Sequence, residues 1–415
     1  MPFRLEEATG VRAQHVIQVL RLLWEQDLPR VELARRLGLA RSSMSDIVLD
    51  LLKAGLVNEG ARSTSASMGR KSTLLTLQPR AAYLLAADVG VRHLRVALLD
   101  LRCQPVAERE EPFDIRRGPQ VTYHTLTGLV QSVLGQAKVE MTRVALMGVG
   151  LPAPVDLASG RVADTPFMRD WGGEDVPRTL QALFPVPVLI ENDANLGALA
   201  EWYFGPHQDQ DDLVYLKVGA GVGAGLILGG RLHRGVHGGA GEIGPLLLDD
   251  PQAPALAALS SAGGLLPAVL AQVLARVPST QLGLDSGLED VVTLLHEDEA
   301  AREVIQVLGD LLGRLTASIL HLLNPSVIVI GGQVALAGTP LLDALCRAVA
   351  GQVTSQGVQI RLSTHGAEAG VLGIGALLLE RLFSPVGLER LYEVTWPASP
   401  LNSLHHLSGT VIGHR

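Results

Sequence analysis

The chain has 415 residues, 47% of them hydrophobic and 18% charged, a length that favours two or three domains and a composition that excludes wholesale disorder. Only Cys103 and Cys346 are present, which rules out a disulfide framework and a cysteine-built zinc site and fits a reducing cytoplasm. The net charge of −8 is unevenly spread: residues 1–80 hold 12 Lys and Arg against 8 Asp and Glu, so a small basic head precedes an acidic body and alone is suited to a polyanion. No apolar run approaches the roughly 20 residues that span a bilayer, so no membrane partner is expected. Arg4, Glu6, Glu7 and Arg12 leave no room for a signal-peptide core.

In chain order, Val16, Val19, Leu20 and Leu23 recur at i, i+3, i+4 and i+7 and give residues 14–27 one apolar helical face. A second short helix follows Pro29, turns Leu33 and Leu37 inward and stops at Gly38, a left-handed cap. A third runs from about Arg41 to Ala54, with Met44, Ile47, Val48, Leu51 and Leu52 as its buried stripe and Gly55 as its end. Three short helices with a glycine turn before the last read as a helix-turn-helix. Leu56–Asn58 and Ser72–Leu77 then read as strands flanking a loop that carries Arg70 and Lys71: a wing.

Away from the stripe of the third helix point Arg41, Ser42, Ser43, Ser45 and Asp46. An arginine and short hydroxyls at the start of such a helix reach phosphates and base edges in a major groove. Arg70 and Lys71 would add phosphate or minor-groove contacts. Asp46 is the discordant member, repelled by phosphate unless it accepts from a cytosine amino group. The plainer alternative is a three-helix protein-interaction module whose polar face is merely wet.

Beyond residue 80 the pattern changes to α/β. Leu84–Ala87 is a strand leading to Asp88-Val89-Gly90, Leu94–Leu99 is the next, and Val144–Leu151 is a third. Val186–Ile190 delivers Glu191-Asn192-Asp193-Ala194-Asn195 at its C-terminal end and opens into a helix over 196–203, the position where open α/β folds place ligand chemistry. Leu213–Val218 leads into the glycine-rich Gly219–Gly225, and Gly229-Gly230 makes a hairpin turn. A helix from Arg302 to Leu323 turns Val304, Ile305, Leu308, Leu311, Leu312, Leu315, Ile319 and Leu322 inward, and Val327–Ile330 then meets Gly331-Gly332. Three glycine-rich turns at strand ends offer bare backbone N–H groups to a phosphate or a sugar. Each alone is explained as well by a tight turn.

Together, Asp88-Val89-Gly90, Glu191–Asn195 with Ala200-Glu201, Gly219–Gly225, Gly238-Gly239-Ala240-Gly241-Glu242-Ile243-Gly244 and Val327–Gly332 resemble the ROK family of repressors, open reading frames and sugar kinases, over residues of about 14–380. The resemblance implies a two-lobed, actin-like ATPase (ribonuclease H-like) body behind the winged helix-turn-helix of residues 1–80. Its lobes would be 81–195 and 196–384, the last helix returning to the first lobe. Residues 385–415 lie beyond the match and read as a weakly ordered extension.

The resemblance also implies roles. In kinase members the aspartate matched by Asp193 is the general base for the sugar hydroxyl, with sugar contacts at the positions of Asn192 and Glu242. Asp88, Gly90, Gly219, Gly221, Gly223, Gly331 and Gly332 match nucleotide-binding positions. Departures are equally specific. Arg92 stands where the first phosphate loop carries a hydroxyl, and Ala220 replaces the threonine of Gly-Thr-Gly. Pro245 replaces the zinc-binding histidine and Leu246–Leu259 contains no cysteine, so neither zinc nor any other cofactor is expected. His233, His237 and His296 lack the spacing of a metal site.

The expectation is therefore a non-enzymatic regulator, most simply a repressor of carbohydrate-utilisation genes. It would act as a homodimer or dimer of dimers on double-stranded operator DNA, with Asp193 a vestigial base and a sugar or sugar derivative as effector. Xylose, glucose and N-acetylated amino sugars all serve as signals among relatives. The alternatives are a functioning sugar kinase and a DNA-binding scaffold that needs no ligand.

Overall fold

The computed structural model describes residues 10–62, 73–165, 167–206, 210–244, 264–352 and 357–396. In the head, helices α1 (Val11–Glu25), α2 (Arg30–Leu37) and α3 (Arg41–Lys53) follow the expected apolar spacing, and Val16, Leu20, Leu23, Leu33, Met44, Val48 and Leu51 are buried. Gly38 ends α2 at φ 65°, the left-handed conformation that a side chain resists. Strand β1 (Leu28–Pro29) joins β2 (Val57–Arg62) and β3 (Thr73–Leu77) in the order β1-β3-β2, all antiparallel, which is the wing sheet.

The first lobe is built on a five-stranded sheet. Strands β4 (Tyr83–Val89), β5 (His93–Asp100) and β6 (Pro105–Pro112) form an antiparallel meander; β7 (Val144–Leu151) and β10 (Val188–Asn192) add to β4 in parallel, giving the order β10-β7-β4-β5-β6. Strands β4 and β7 are buried at every residue, as strands covered on both faces must be. Helices α4 (Pro119–Ala137) and α5 (Val176–Leu183) cover one face, and a short ribbon of β8 (Val155–Asp156) and β9 (Arg161–Val162) extends the lobe.

Helix α6 (Asp193–Phe204) leads to the second lobe. Its sheet has the order β12-β11-β13-β14, from β11 (Leu213–Val218), β12 (Val222–Ile227), β13 (Val327–Gly331) and β14 (Gln359–Leu362). Gly229 and Gly230 take φ of 56° and 67° in the turn after β12, as the hairpin reading requires. Helices α7 (Leu265–Leu274), α8 (Leu288–Leu294), α9 (Glu299–Leu323) and α10 (Gly338–Ala350) pack over this sheet in one apolar cluster. The α9 stripe is as read from its spacing except for Leu322, which is 82% exposed because the last turn lies largely in solvent; Leu320 is buried in its place.

Helix α11 (Ala369–Leu382) returns to β4 and β7 and packs along α6, so two helices form the seam between the sheets. The chain then corrects the expectation of a weakly ordered extension from residue 385: α12 (Pro385–Thr395) is capped by Ser384 and buries Leu388, Leu391 and Tyr392. Residues 397–415 lie outside the described residues. Helix α12 packs against α1, and one continuous apolar cluster runs from the head through α6, α11 and α12. The head is thus seated on the body and shares its core. Among the described residues no single helix is long and apolar enough to cross a membrane.

Candidate nucleic-acid interface and ligand cleft

The face of α3 is built as the spacing required. Met44, Ile47 and Val48 are buried, and Arg41, Ser42, Ser43, Ser45 and Asp46 are all exposed, which brings the five candidates onto one solvent side. Ser45 Oγ donates to the Arg41 carbonyl at 2.9 Å, so its hydroxyl proton is spent on its own helix. N-cap Ala40 has no side chain to satisfy the first-turn N–H groups, which suits a phosphate there. The other arginines of this region are engaged: Glu32 binds Arg35 at 2.6 Å and Arg36 at 2.8 Å, and Arg30 binds Glu59. The hydrogen bonds from Arg35 and Arg36 pull the Glu32 carboxyl down to about 2. Arg70 and Lys71 lie outside the described residues.

The second candidate site lies where the strand ends of both sheets face each other. Asn192 closes β10 and caps α6: its Oδ1 accepts from the N–H of Ala194 at 2.9 Å and of Asn195 at 3.2 Å, and its Nδ2 donates to the Ala153 carbonyl at 3.1 Å. The side chain assigned to sugar contact is therefore committed to fixing the start of α6. Asp193, the first residue of that helix, meets a residue the sequence reading missed. Lys217, on β11 of the opposite sheet, donates from Nζ to Asp193 Oδ2 at 2.7 Å. A lone lysine inside the apolar run Leu-Val-Tyr-Leu-Lys-Val was the available signal.

Lys217 serves Asp88 as well. Burial by itself would push the Asp88 carboxyl up; the hydrogen bond from His93 Nε2 at 3.2 Å and the charge of Lys217 outweigh it and hold the carboxyl below its ordinary value. Burial would likewise depress the Lys217 ammonium, but Asp193 and Asp88 raise it. Asp193 and Asp88 thus share one resident ammonium. In that ion pair Asp193 Oδ2 is a hydrogen-bond acceptor held by a cation.

Around this pair the cleft is firmly constructed. Glu191 is 1% exposed; its Oε2 accepts from Arg234 Nε at 2.6 Å, and its Oε1 accepts from the Asn192 N–H and from Asn195 Nδ2, each at 2.9 Å. The loop bearing Glu242 is pinned by Gly241 (φ 90°), where a Cβ would lie 1.9 Å from the Ala224 carbonyl oxygen. Glu242 reaches solvent at the cleft, and desolvation first and the charge of Asp193 second raise its pKa. Asp193 and Glu242 are thus brought within reach of each other's charge.

The glycine-rich turns divide by cause. A Cβ at Gly331 would strike the buried Tyr215 hydroxyl at 2.1 Å and one at Gly332 (φ 78°) the Val218 carbonyl at 2.5 Å, so packing demands these two, while one at Gly90 would meet the partly exposed His93 ring at 2.1 Å and displace it from Asp88. Gly223 sits in ordinary contact with Ala194, whereas Gly219 has open space and Gly221 only the Phe167 ring at 3.8 Å. A separate open cavity of about 440 Å³ is lined by Arg92, His93, Glu110, Glu111, Pro112 and Gln333, and none of Asn192, Asp193 and Glu242 lines it. Among the described residues no group of three or more His, Cys, Asp or Glu is placed to hold a metal; residues 245–263, where the family's zinc loop would fall, lie outside them.

Known proteins share the sequence and the architecture of this chain. It is 26% identical over 371 residues to the xylose repressor of Bacillus subtilis, covering 88% of this chain and 94% of that one. It is 27% identical to the DNA-binding transcriptional dual regulator NagC of Escherichia coli, over 77% of this chain and 80% of that protein. The crystal structure of a ROK family transcriptional regulator, a homologue of the E. coli MLC protein, superposes with a TM-score of 0.74 over 92% of this chain and 99% of its own, at 24% identity, which speaks for the fold. ROK hexokinase from Thermus thermophilus superposes with a TM-score of 0.55 over 71% of this chain and 97% of its own, at 27% identity. The sequence profile of the ROK family matches residues 84–381, well over half the molecule, and the chain belongs to the ROK family.

Proposed function

We propose that the protein is a sugar-responsive transcriptional repressor that reads operator DNA with α3 and the wing and uses the cleft to sense a ligand, without phosphorylating it. The observation that carries this reading is the exposed polar face of α3 on a head seated on a ROK body. Support comes from relatives called xylose repressor and NagC, which share most of their length with this chain. The ligand side rests on Asp193 and Glu242, with Asn192 fixing the helix that presents Asp193 and Gly241 the loop that presents Glu242. Against turnover stand the Lys217–Asp193 pair, the alanine at 220 and the arginine at 92.

Two heads on a homodimer, or a dimer of dimers, would match half-sites of an inverted repeat, and effector binding would shift the population of head spacings that fit it. The cytoplasm is the place for such a protein. The test is retention of total genomic fragments by the purified chain at roughly physiological salt, since affinity without a stated salt has no meaning. Enrichment of a few fragments sharing an inverted repeat, lost or altered in Ser43→Ala, supports the reading. Equal retention of all fragments by both proteins overturns it.

A further inference from the structure

Helix α6 begins in the cleft and ends against the head. Asn192 caps its start and Asp193 opens its first turn; twelve residues later, about 18 Å along the axis, the Phe204 ring meets the Trp24 ring of α1 edge-on at 6.3 Å. Beside it, Tyr203 Oη donates to Glu380 Oε1 of α11 at 2.7 Å. Arg21, one turn before Trp24, lies within electrostatic reach of both Tyr203 and Glu380 and donates to the Phe383 carbonyl at 2.6 Å. The same stretch of α1 is tied to the first lobe: Trp24 Nε1 donates to the Leu101 carbonyl and Arg102 Nη1 to the Trp24 carbonyl, each at 2.9 Å.

Between its ends α6 has no slack. Every residue from Ala194 to Tyr203 is buried. Gly225 of β12 and Gly373 of α11 let neighbouring backbone approach so closely that a Cβ would lie 2.3 Å from the Ala194 carbonyl oxygen and 1.9 Å from that of Leu196. A helix held at its first turn by these contacts and buried along its length has little room to bend when its start is pushed, because packed interiors switch between arrangements and do not deform smoothly. A displacement that starts at the Asn192 cap is delivered at Tyr203 and Phe204, and there the nearest neighbours include Arg21 and Trp24 of the DNA-binding head.

We infer that α6 is the mechanical link by which the state of the cleft sets the seating of the DNA-binding head, with Tyr203, Phe204, Glu380, Arg21 and Trp24 as positioning residues at its far end. The inference rests on reading the cleft as the ligand site, yet it is tested without a ligand, by perturbing the cleft end of the helix directly.

The experiment is hydrogen exchange on the full-length chain, comparing wild type with Lys217→Met, which releases Asp193, and Asn192→Ala, which removes the cap. The expected result is exchange raised in the last two turns of α1, as well as in the first turn of α6, by about threefold or more beyond the rise in the distant amides of α9, which report the general loss of stability. In a Phe204→Leu background, which keeps apolar bulk but loses the ring contact, the response in α1 should vanish while that at the start of α6 persists. Three results would overturn the link: α1 unmoved in both variants, α1 responding equally with Leu at 204, or α9 rising in step with α1 as in global loosening. Titration with D-xylose and N-acetylglucosamine is a separate measurement. Absence of binding would sink the cleft as a sugar sensor and leave the exchange result standing.

Discussion

Replacing Lys217 with methionine keeps the side chain's length and removes its charge, leaving Asp193 and Asp88 without their shared cation. The lysine side chain is 27% exposed, that of Asp193 14% and that of Asp88 6%. At 2.7 Å the attraction of one pair is about 6 kcal/mol for an effective dielectric of about 20. Most of that is offset by desolvation, and removing one partner of a fully buried pair costs about 3–5 kcal/mol; the partial exposure here brings the expected destabilisation down to about 2–3 kcal/mol at pH 7. For a protein of this size that is a fall in Tm of about 2–3 °C, readable by calorimetry.

The pH dependence separates this cause from a packing defect. In the wild type Asp88 titrates below its ordinary value, so its contribution is present above the unfolded pKa of about 3.9 and is lost only as pH falls through the lower folded value. The Asp88 contribution should therefore stay constant between pH 7 and 5. In Lys217→Met the Asp88 carboxylate loses part of the charge that depresses it and binds a proton more readily, so acidification to pH 5 should narrow the gap. At the alkaline end Lys217 itself, raised by the two carboxylates, contributes fully below its unfolded pKa and loses that contribution as pH climbs past its folded one. A Tm within 1 °C of wild type (on the order of the smallest effect worth reading), or a gap identical at pH 7 and 5, would refute the reasoning.

Other substitutions probe the remaining parts. Asn192→Ala removes a cap to two N–H groups and leaves the Ala153 carbonyl without its donor; a loss of about 2–3 kcal/mol is expected by chemical denaturation, and under about 0.5 would contradict the capping role. Gly225→Ala would put a methyl 2.3 Å from the Ala194 carbonyl oxygen and should yield little folded protein, whereas Gly219→Ala meets open space and should stay within about 0.5 kcal/mol of wild type. Equal expression and Tm for the two would show that close packing is not what Gly225 serves. On DNA, Arg41→Ala should weaken all sequences alike and reduce the salt slope by about one unit, while Ser43→Ala should alter sequence preference at constant slope; a reversal of these phenotypes would mean that α3 lies differently on the duplex.

How far the chain could be read before its fold was known depended on the range of the interactions. The head was readable because its information is local: the i, i+3, i+4 spacing of Val16, Val19 and Leu20, the glycine caps at 38 and 55, and the polar run from Arg41 to Asp46 each act within a turn or two. The strands of the body followed from apolar runs, and the Asp193 and Glu242 positions from the resemblance to the ROK family. The capping role of Asn192 was not foreseen, since an asparagine before a helix caps as readily as it binds. Arg234 pairs with Glu191 across 43 residues, and no spacing rule links them. Lys217 and α12 were different: a lysine within an apolar strand, and Ser384-Pro385 before Leu388, Leu391 and Tyr392, are local signals that point to a buried counter-ion and a capped helix. Leu322 shows the opposite error, an apolar residue in phase with a stripe whose last turn has no neighbour to cover it.

The central claim is that the cleft receives a sugar as a signal and not as a substrate. It is tested most directly by titrating D-xylose and N-acetylglucosamine into the full chain by calorimetry with ATP and Mg²⁺ present, while following ADP release and retention of the enriched genomic fragment. The account expects heat of binding for at least one sugar, a matching change in fragment retention, no ADP, and loss of the heat in Asp193→Asn. Sugar-dependent release of ADP that disappears in Asp193→Asn would contradict it and make Asp193 a working base.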